Sequence, residues 1–598
     1  MDPAPGITAE GPSGDNKSRG QVPPRKGLRR IIPEGFGAEV WSLFKLSGPL
    51  FLFQLLIFMI FVVSTVFCGH LGKLELASVT LAVAFVNICG VSVGYGMASA
   101  CDTLMSQTYG SANKKHVGVI LQRGILILLL CCFPCWALFI NTEEILLLLR
   151  QDPDVSRITQ EYVMNFIPAL PGPHPSIIVP CQTHSQRQSH SYTSYSHPDS
   201  RMGSCFFVFQ GIVWPQVLSS ILGNGVNGLA NYIFVYIFNL GVPGSALANT
   251  ISQFIQAIAL FLYVVVRKLY LETWGGWSLQ CLQEWEAFLS LAIPGMLMIC
   301  IEWWAYEIGS LLIGLLSVVE LSAQSIIYEV STIMYMIPLG FGSAVCVRVG
   351  NALGAGDTQA AKRSSVTGVL CTVGIFFVIG SLLTIFKDVL GWIFTNDEEV
   401  NALVSWVMPV YIVYNLFESL CCVCGAVLRG TGRLIFGAAV NAVAYYAIGL
   451  PIGAVLVFVV KIGVIGLWLG MLVCVILATI TFITYTARIN WKLAAEEAQK
   501  RAGLHQPESQ STGPRQGPGR MAFSSVATGS NPGIVLTRYS KAESQADLLP
   551  PLEAASTLST AGNVLSLKQL IVRRGLSLLG AVAVLILGVM IKIMTSKH

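Results

Sequence analysis

The sequence predicts an all-α polytopic membrane protein: two six-helix lobes related by an internal repeat, plus a C-terminal thirteenth helix. Three observations carry this reading. Of 598 residues, 54% are hydrophobic and 12% charged, about half the charge of a soluble domain, and the mean hydropathy is +0.65. Apolar runs of roughly 20 residues, enough to cross a bilayer, recur along most of the chain. The two halves also carry matching short motifs in the same order. A formal net charge of +5 is too small to indicate nucleic acid as a partner.

Taken in order, residues 1–40 are polar, rich in Pro and Gly, and basic (Lys17, Arg19, Arg25, Lys26, Arg29, Arg30), which predicts a disordered cytoplasmic N-terminus with no cleavable signal peptide. The first lobe, 41–266, holds apolar runs near 43–67, 76–99, 117–141, 216–239 and 244–266. An inter-lobe loop, 267–286, leads to the second lobe, 287–488, with runs near 287–316, 322–346, 365–386, 401–427, 435–459 and 463–487. A polar segment, 489–566, reads as a cytoplasmic linker opened by a helix from Trp491, and 567–598 reads as a final transmembrane helix. A short run at 162–171 makes the count about thirteen if it spans and about twelve if it does not.

Loop charge orients these spans. Lys114, Lys115, Arg267, Lys268, Arg348, Lys362, Arg363, Arg429 and Arg433 fall on the side of the basic N-terminus. Glu143, Glu144, Asp152, Asp154, Asp397, Glu398 and Glu399 fall on the other. This alternation requires a crossing near 160–180. It predicts a cytoplasmic N-terminus and an extracellular C-terminus.

The repeat is explicit at several places. Leu46-Ser47-Gly48-Pro49 matches Leu291-Ala292-Ile293-Pro294, and at the same offset Leu74-Glu75-Leu76-Ala77 matches Val319-Glu320-Leu321-Ser322. Val226-Asn227-Gly228-Leu229-Ala230 answers Val440-Asn441-Ala442-Val443-Ala444. Transporters bind substrate between such repeats and rock one against the other. The first half carries about 27 extra residues, within roughly 172–210, in a repeat that predicts equal lengths. That stretch is polar and holds His174, His184, His190 and His197 at irregular spacing, which predicts a loop rather than a metal site. It lengthens the chain and replaces the end of the fourth helix.

Four carboxylates lie inside apolar runs of the second half: Glu302, Glu307, Glu329 and Glu418. A membrane-embedded acid costs about 2.5 kcal/mol or more at a helix centre, so it marks an ion or substrate path. Glu302 and Tyr306 are spaced to share a helix face, as are Tyr411, Tyr414 and Glu418, and Tyr328 with Tyr335. Glu307 lies about 140° around the helix from Glu302, so the two are not expected to share a narrow face. Aromatic faces attract organic cations by about 0.5–2 kcal/mol per contact. A carboxyl group in apolar surroundings is easier to protonate than one in water, so one site accepts either a proton or a cation. That competition is the minimum equipment of an exchanger.

The first half has no acid in mid-run; Gln54, Cys68 and Asn87 are its polar candidates, although such residues more often join helices by hydrogen bonds. Trp303 and Trp304 adjoin Glu302, and one of them must face lipid or another helix. Sixteen cysteines lie mostly in apolar runs and read as small packing residues. The Gly-rich stretch Gly350–Asp357 lacks the Lys-Ser/Thr of a phosphate-binding loop. Neither an enzyme activity nor a cofactor is expected.

Several segments resemble the multidrug and toxin extrusion (MATE) family: Phe67-Cys68-Gly69-His70-Leu71-Gly72, Ala98–Leu104, Glu302-Trp303-Trp304-Ala305-Tyr306-Glu307, Val347–Gly354 and Leu428-Arg429-Gly430-Thr431-Gly432. The similarity covers about 40–170 and 211–490. The thirteenth helix resembles the mammalian kidney and liver members, and the tails resemble their second paralogue. The resemblance implies an antiporter that exports organic cations in exchange for protons across a plasma membrane, apical and facing an acidic lumen. It implies that Glu302, Glu307, Glu329 and Glu418 are substrate and proton acids, with Tyr306, Tyr328 and Tyr335 as cavity aromatics. Two alternatives stay open: a transport-inactive or regulatory isoform, because the fourth helix is interrupted, and sodium as coupling ion, because a carboxylate serves either.

Overall fold

The computed structural model describes residues 35–167, 202–203, 209–210, 213–268, 275–395, 397–503 and 567–595. The first lobe holds α1 (Phe36–Gly69), α2 (Lys73–Val86), α3 (Ser92–Gly110), α4 (His116–Ile140), α5 (Thr142–Leu148), α6 (Pro153–Phe166), α7 (Trp214–Asn231) and α8 (Gly241–Val266). The second holds α9 (Trp285–Gly314), α10 (Val318–Gly354), α11 (Thr358–Phe386), α12 (Glu398–Thr431), α13 (Leu434–Asn441), α14 (Leu450–Ala454) and α15 (Val464–Ala487). Then follow α16 (Trp491–Arg501) and α17 (Leu567–Thr595). The only pairing of strands among the described residues joins Met202–Gly203 to Phe209–Gln210, antiparallel.

Among the described residues, eleven helices are long and apolar enough to cross a membrane. The expected run at 216–239 is helical too, over α7 and a π-helical continuation, Tyr232–Ile237. It falls outside that set because Gln216, Ser219, Ser220, Asn227 and Asn231 are buried in the lobe and dilute its apolar character. The short run expected at 162–171 begins on α6. The rest of the fourth helix and the four histidines of the extra segment lie outside the described residues, as do most of the N-terminal tail and most of the linker.

Helix starts follow capping chemistry, in which a side-chain oxygen takes an orphan backbone N–H. Asp152, Ser317, Asp357, Asp397 and Asn490 do this for α6, α10, α11, α12 and α16. The repeat is visible as geometry. Pro49 lies inside α1 and Pro294 inside α9. Past Asn231 and past Asn441 the helix relaxes into π geometry, at Tyr232–Ile237 and Ala442–Gly449.

The lobes meet most closely at the end that carries the basic loops, called here the basic end. Glu39 of α1 accepts from Arg348 of α10 and from Ser364 of α11 at 2.6 Å. Thr103 donates to the carbonyl of Arg429 at 2.8 Å, and the Gln107 side-chain amide to that of Gly430 at 2.9 Å. Small residues let the backbones approach, as in membrane helix packing generally. A Cβ on Gly354 would sit 1.8 Å from the Gln107 carbonyl oxygen, and one on Gly340 2.8 Å from the Phe51 nitrogen.

Two elements lie outside the repeat. Helix α16 presses buried Ala494, Ala495 and Ala498 against the basic end. Its Arg501 donates to Glu497 (3.2 Å), to the Thr431 carbonyl (3.3 Å) and to Gln107 of the first lobe (3.4 Å). Helix α17 docks along α4. The Asn141 amide donates to the Gly588 carbonyl at 2.9 Å, Lys592 pairs with Glu143 at 2.9 Å, and Arg574 lies 4.2 Å over the Trp285 ring.

Candidate functional site: a chamber between the lobes

A cavity of about 190 Å³ lies between the lobes, walled by α1, by α2 with its π-helical continuation Asn87–Val91 and α3, and by α9, α10 and α12. Each helix contributes one stripe. On α10 the wall residues are Tyr328, Ser331, Thr332, Tyr335, Met336 and Leu339, a single face at three- and four-residue spacing. On α1 they are Gln54, Ile57, Phe58 and Phe61, with the same spacing. A π-turn widens the helix locally and is common at functional sites. Here it begins at Asn87, a wall residue.

The three acids in the wall are each held by tyrosine. Tyr335 donates to Glu302 at 3.3 Å, and Asn441 donates to the other Glu302 oxygen at 3.5 Å. Tyr328 donates to Glu307 at 3.0 Å. Glu418 accepts from Tyr306 at 2.5 Å and from Tyr414 at 3.4 Å, and the Tyr306 and Tyr414 hydroxyls also bond each other. Tyrosine donors are neutral. They stabilise a carboxylate by hydrogen bonding without supplying the opposite charge; the Arg429 guanidinium of α12 lies near enough to Glu302 to act on it electrostatically.

Nine predicted residues line the chamber: Gln54, Asn87, Glu302, Trp303, Tyr306, Glu307, Tyr328, Tyr335 and Glu418. Three do not. Glu329 follows Tyr328 by one residue, about 100° around α10, and so leaves the wall stripe. Cys68 lies about 21 Å along α1 from Gln54 and is fully buried in a separate cluster with Val79, Phe85 and Tyr162. Tyr414 sits behind Tyr306, packed edge-on against Trp468 at 5.3 Å. Glu302 and Glu307 share the chamber despite their angular separation, because it occupies a broad sector of α9. Trp303 faces the chamber, while Trp304 donates to the Ile88 carbonyl at 3.1 Å.

The sequence reading missed Tyr95, a wall residue whose ring stacks on Trp303 at 6.1 Å, across the lobe boundary. Its spacing from Asn87 and Val91 was the available signal. It also missed a buried neutral cluster in the first lobe. Ser64 and Asn227 each donate to Asn249 Oδ1 at 2.7 Å, and Asn249 donates to Tyr162 at 2.6 Å. This knits α1, α6, α7 and α8 together, a typical use of polar side chains between membrane helices.

The walls are related by the repeat. Counted from the matched Pro49 and Pro294, Ile57, Phe58 and Phe61 occupy the positions of Glu302, Trp303 and Tyr306. At the same offset Val83, Asn87 and Val91 answer Tyr328, Thr332 and Met336. All of these residues face the chamber.

A repeated helical bundle that crosses the membrane many times, with acids and aromatics lining a chamber between its halves, defines a membrane transporter. The MatE family model matches two stretches, 49–188 and 294–455, one in each half. The chain is 59% identical over 600 residues to multidrug and toxin extrusion protein 2 of Homo sapiens, covering 96% of this chain and 97% of that one. It is 52% identical to multidrug and toxin extrusion protein 1 of Rattus norvegicus, over 98% of both chains. Among solved structures, the eukaryotic MATE transporter AtDTX14 superposes with a TM-score of 0.71 at 29% identity, covering 78% of this chain and all of that one. The Vibrio cholerae MATE transporter VcmN shares the fold at a TM-score of 0.59 and 17% identity, over 78% of this chain and 98% of its own. The chain belongs to the multidrug and toxin extrusion family and is a multi-pass membrane transporter of the efflux antiporter type.

Proposed function

We propose that this transporter exports organic cations in exchange for protons, with Glu302, Glu307 and Glu418 as the exchanging groups. What carries the reading is the set of three acids in an apolar and aromatic chamber, each held by tyrosine hydroxyls. A cation entering beside such an acid replaces its proton, and a proton returning from the other side expels the cation. Rocking of the lobes about the chamber makes the exchange alternate. Gln54, Asn87, Trp303, Tyr306, Tyr328 and Tyr335 complete the walls. Protons are the coupling ion; no cofactor, catalytic step or nucleic-acid partner enters.

The basic end is assigned to the cytoplasm by loop charge, and the acidic end, with Glu143, Glu144 and Asp397, to the exterior. Helix α17 runs from the basic end, beside Trp285, to Glu143, which supports an exterior C-terminus in this reading. The protein is placed in the plasma membrane, at an apical surface facing acid. The transport-inactive alternative has no observation in its favour.

The test is exchange in proteoliposomes preloaded with tetraethylammonium, with and without an acidic opposite side. Cation efflux is expected to follow the pH gradient and to disappear in Glu302→Gln. Efflux that ignores the gradient, or normal exchange by Glu302→Gln, removes this reading; a sodium gradient run in parallel separates the two coupling ions.

A further inference from the structure

The repeat places equivalent helices on both sides of the chamber, yet the two walls differ in chemistry. Glu302, Tyr306 and Tyr328 of the second lobe correspond to Ile57, Phe61 and Val83 of the first, and all six face the same space. At these positions one wall offers an acid and hydroxyls, and its counterpart offers only hydrocarbon. Trp303 and Phe58, also equivalent, are aromatic on both sides. The first-lobe wall also holds the neutral polar groups Gln54, Asn87 and Tyr95 but no acid, so the chamber carries its acids on one side only.

We propose that this asymmetry orients the substrate: the cationic end lodges at the acids of the second lobe, and the apolar body lies on Ile57, Phe58, Phe61 and Val83. These first-lobe residues then set specificity. Among cations, affinity then grows with the apolar area that Ile57, Phe58, Phe61 and Val83 can cover. The two walls act on different terms. The acids set how tightly any cation is held, whereas the apolar wall sets how much each added carbon is worth. The inference rests on the chamber being the cation site, as proposed above.

The experiment is calorimetric binding of n-alkyltrimethylammonium ions, from methyl to hexyl, to the purified full-length protein. Binding is measured without transport, so coupling does not enter. A buried methylene contributes about 0.8 kcal/mol, up to about fourfold in affinity. The unmodified protein is expected to show a two- to fourfold gain per methylene, on the order that such burial allows. Phe58→Ala with Phe61→Ala is expected to bring the gain below about 1.5-fold, since the covering surface is gone. Phe58→Leu with Phe61→Leu restores most of it. Glu302→Gln weakens every member by a similar factor and leaves the gain per methylene intact. An unchanged gain in the alanine variant overturns the proposal and leaves the cation site standing. A gain lost equally in Glu302→Gln and the alanine variant overturns it as well. Failure of the unmodified protein to bind any member overturns the proposal together with the site itself.

Discussion

Arg348 holds both carboxylate oxygens of Glu39, through Nε at 2.7 Å and Nη2 at 2.8 Å, across the boundary between the lobes. Arg363 stands 3.9 Å away and Ser364 donates to the same carboxylate. The pair is far from the chamber acids and closes the basic end beneath them. Glu39 is 5% exposed, so its charge depends on these donors.

Opening the basic end must break this contact, which gives the first expectation. Glu39→Gln keeps the shape and removes the charge, and should favour the open form by about 2 kcal/mol, the size of charge-assisted hydrogen bonds. Arg348→Ala should cost more, because it leaves a buried carboxylate poorly paired. Spin labels at Lys115→Cys of the first lobe and Lys362→Cys of the second, exposed positions at this end, report the separation. An unchanged distance distribution in both variants denies the contact a gating role.

Helix α16 adds a second closure. Arg501→Ala should enlarge the long-distance population in the same measurement, since the Arg501 guanidinium links Gln107 of the first lobe to Thr431 of the second. Burial lowers the Arg501 pKa from its ordinary value, while the neighbouring Glu497 acts to raise it. A lowered base loses its charge first at the alkaline end, and an arginine starts above about 12. The contribution should therefore be flat from about pH 6 to 8. A steep change in that window would assign the closure to another group.

The rotation of α10 takes Glu329 out of the chamber wall, although it stays within electrostatic reach of Glu307. Glu307→Gln should cut exchange at least tenfold, on the order of one lost hydrogen bond to a charged group. Glu329→Gln should stay within about twofold, because the side chain leaves the wall stripe. Uptake of a labelled cation at matched surface expression decides this. Equal losses would mean that Glu329 reaches the pathway in another state.

Gly354 is a steric prediction. A methyl group there meets the Gln107 carbonyl at 1.8 Å, backbone that cannot swing aside. Gly354→Ala should destabilise the closed basic end by about 1–3 kcal/mol, as overpacking does. Gly374→Ala, with open space around it, is the control. Melting temperatures that match for the two would refute the close approach.

Much of the fold was legible because it is written in local patterns. Bilayer-length apolar runs and the paired Pro49 and Pro294 act within a few residues of themselves. The run at 216–239 reads as a span like the others, yet in the structure it falls outside the apolar set, since Asn227, Asn231 and their polar neighbours serve the interior of the lobe rather than lipid. Of the site, the acids stood out because a carboxylate in an apolar run has few structural excuses. Tyr95 did not, since a tyrosine in such a run is ordinary.

By itself, the sequence determined a membrane-crossing helical protein, a doubled architecture and the acids set within the apolar runs of its later half. Each follows from composition or spacing along one helix. Only the tertiary structure decided which faces meet. It turned Glu329 out of the wall while admitting both Glu302 and Glu307, set Tyr335 against Glu302 and Arg348 against Glu39, and opposed an apolar wall to the acidic one. The physical reason is that a helix presents every side chain at some angle, and the angle that faces a neighbour is fixed by packing between segments hundreds of residues apart.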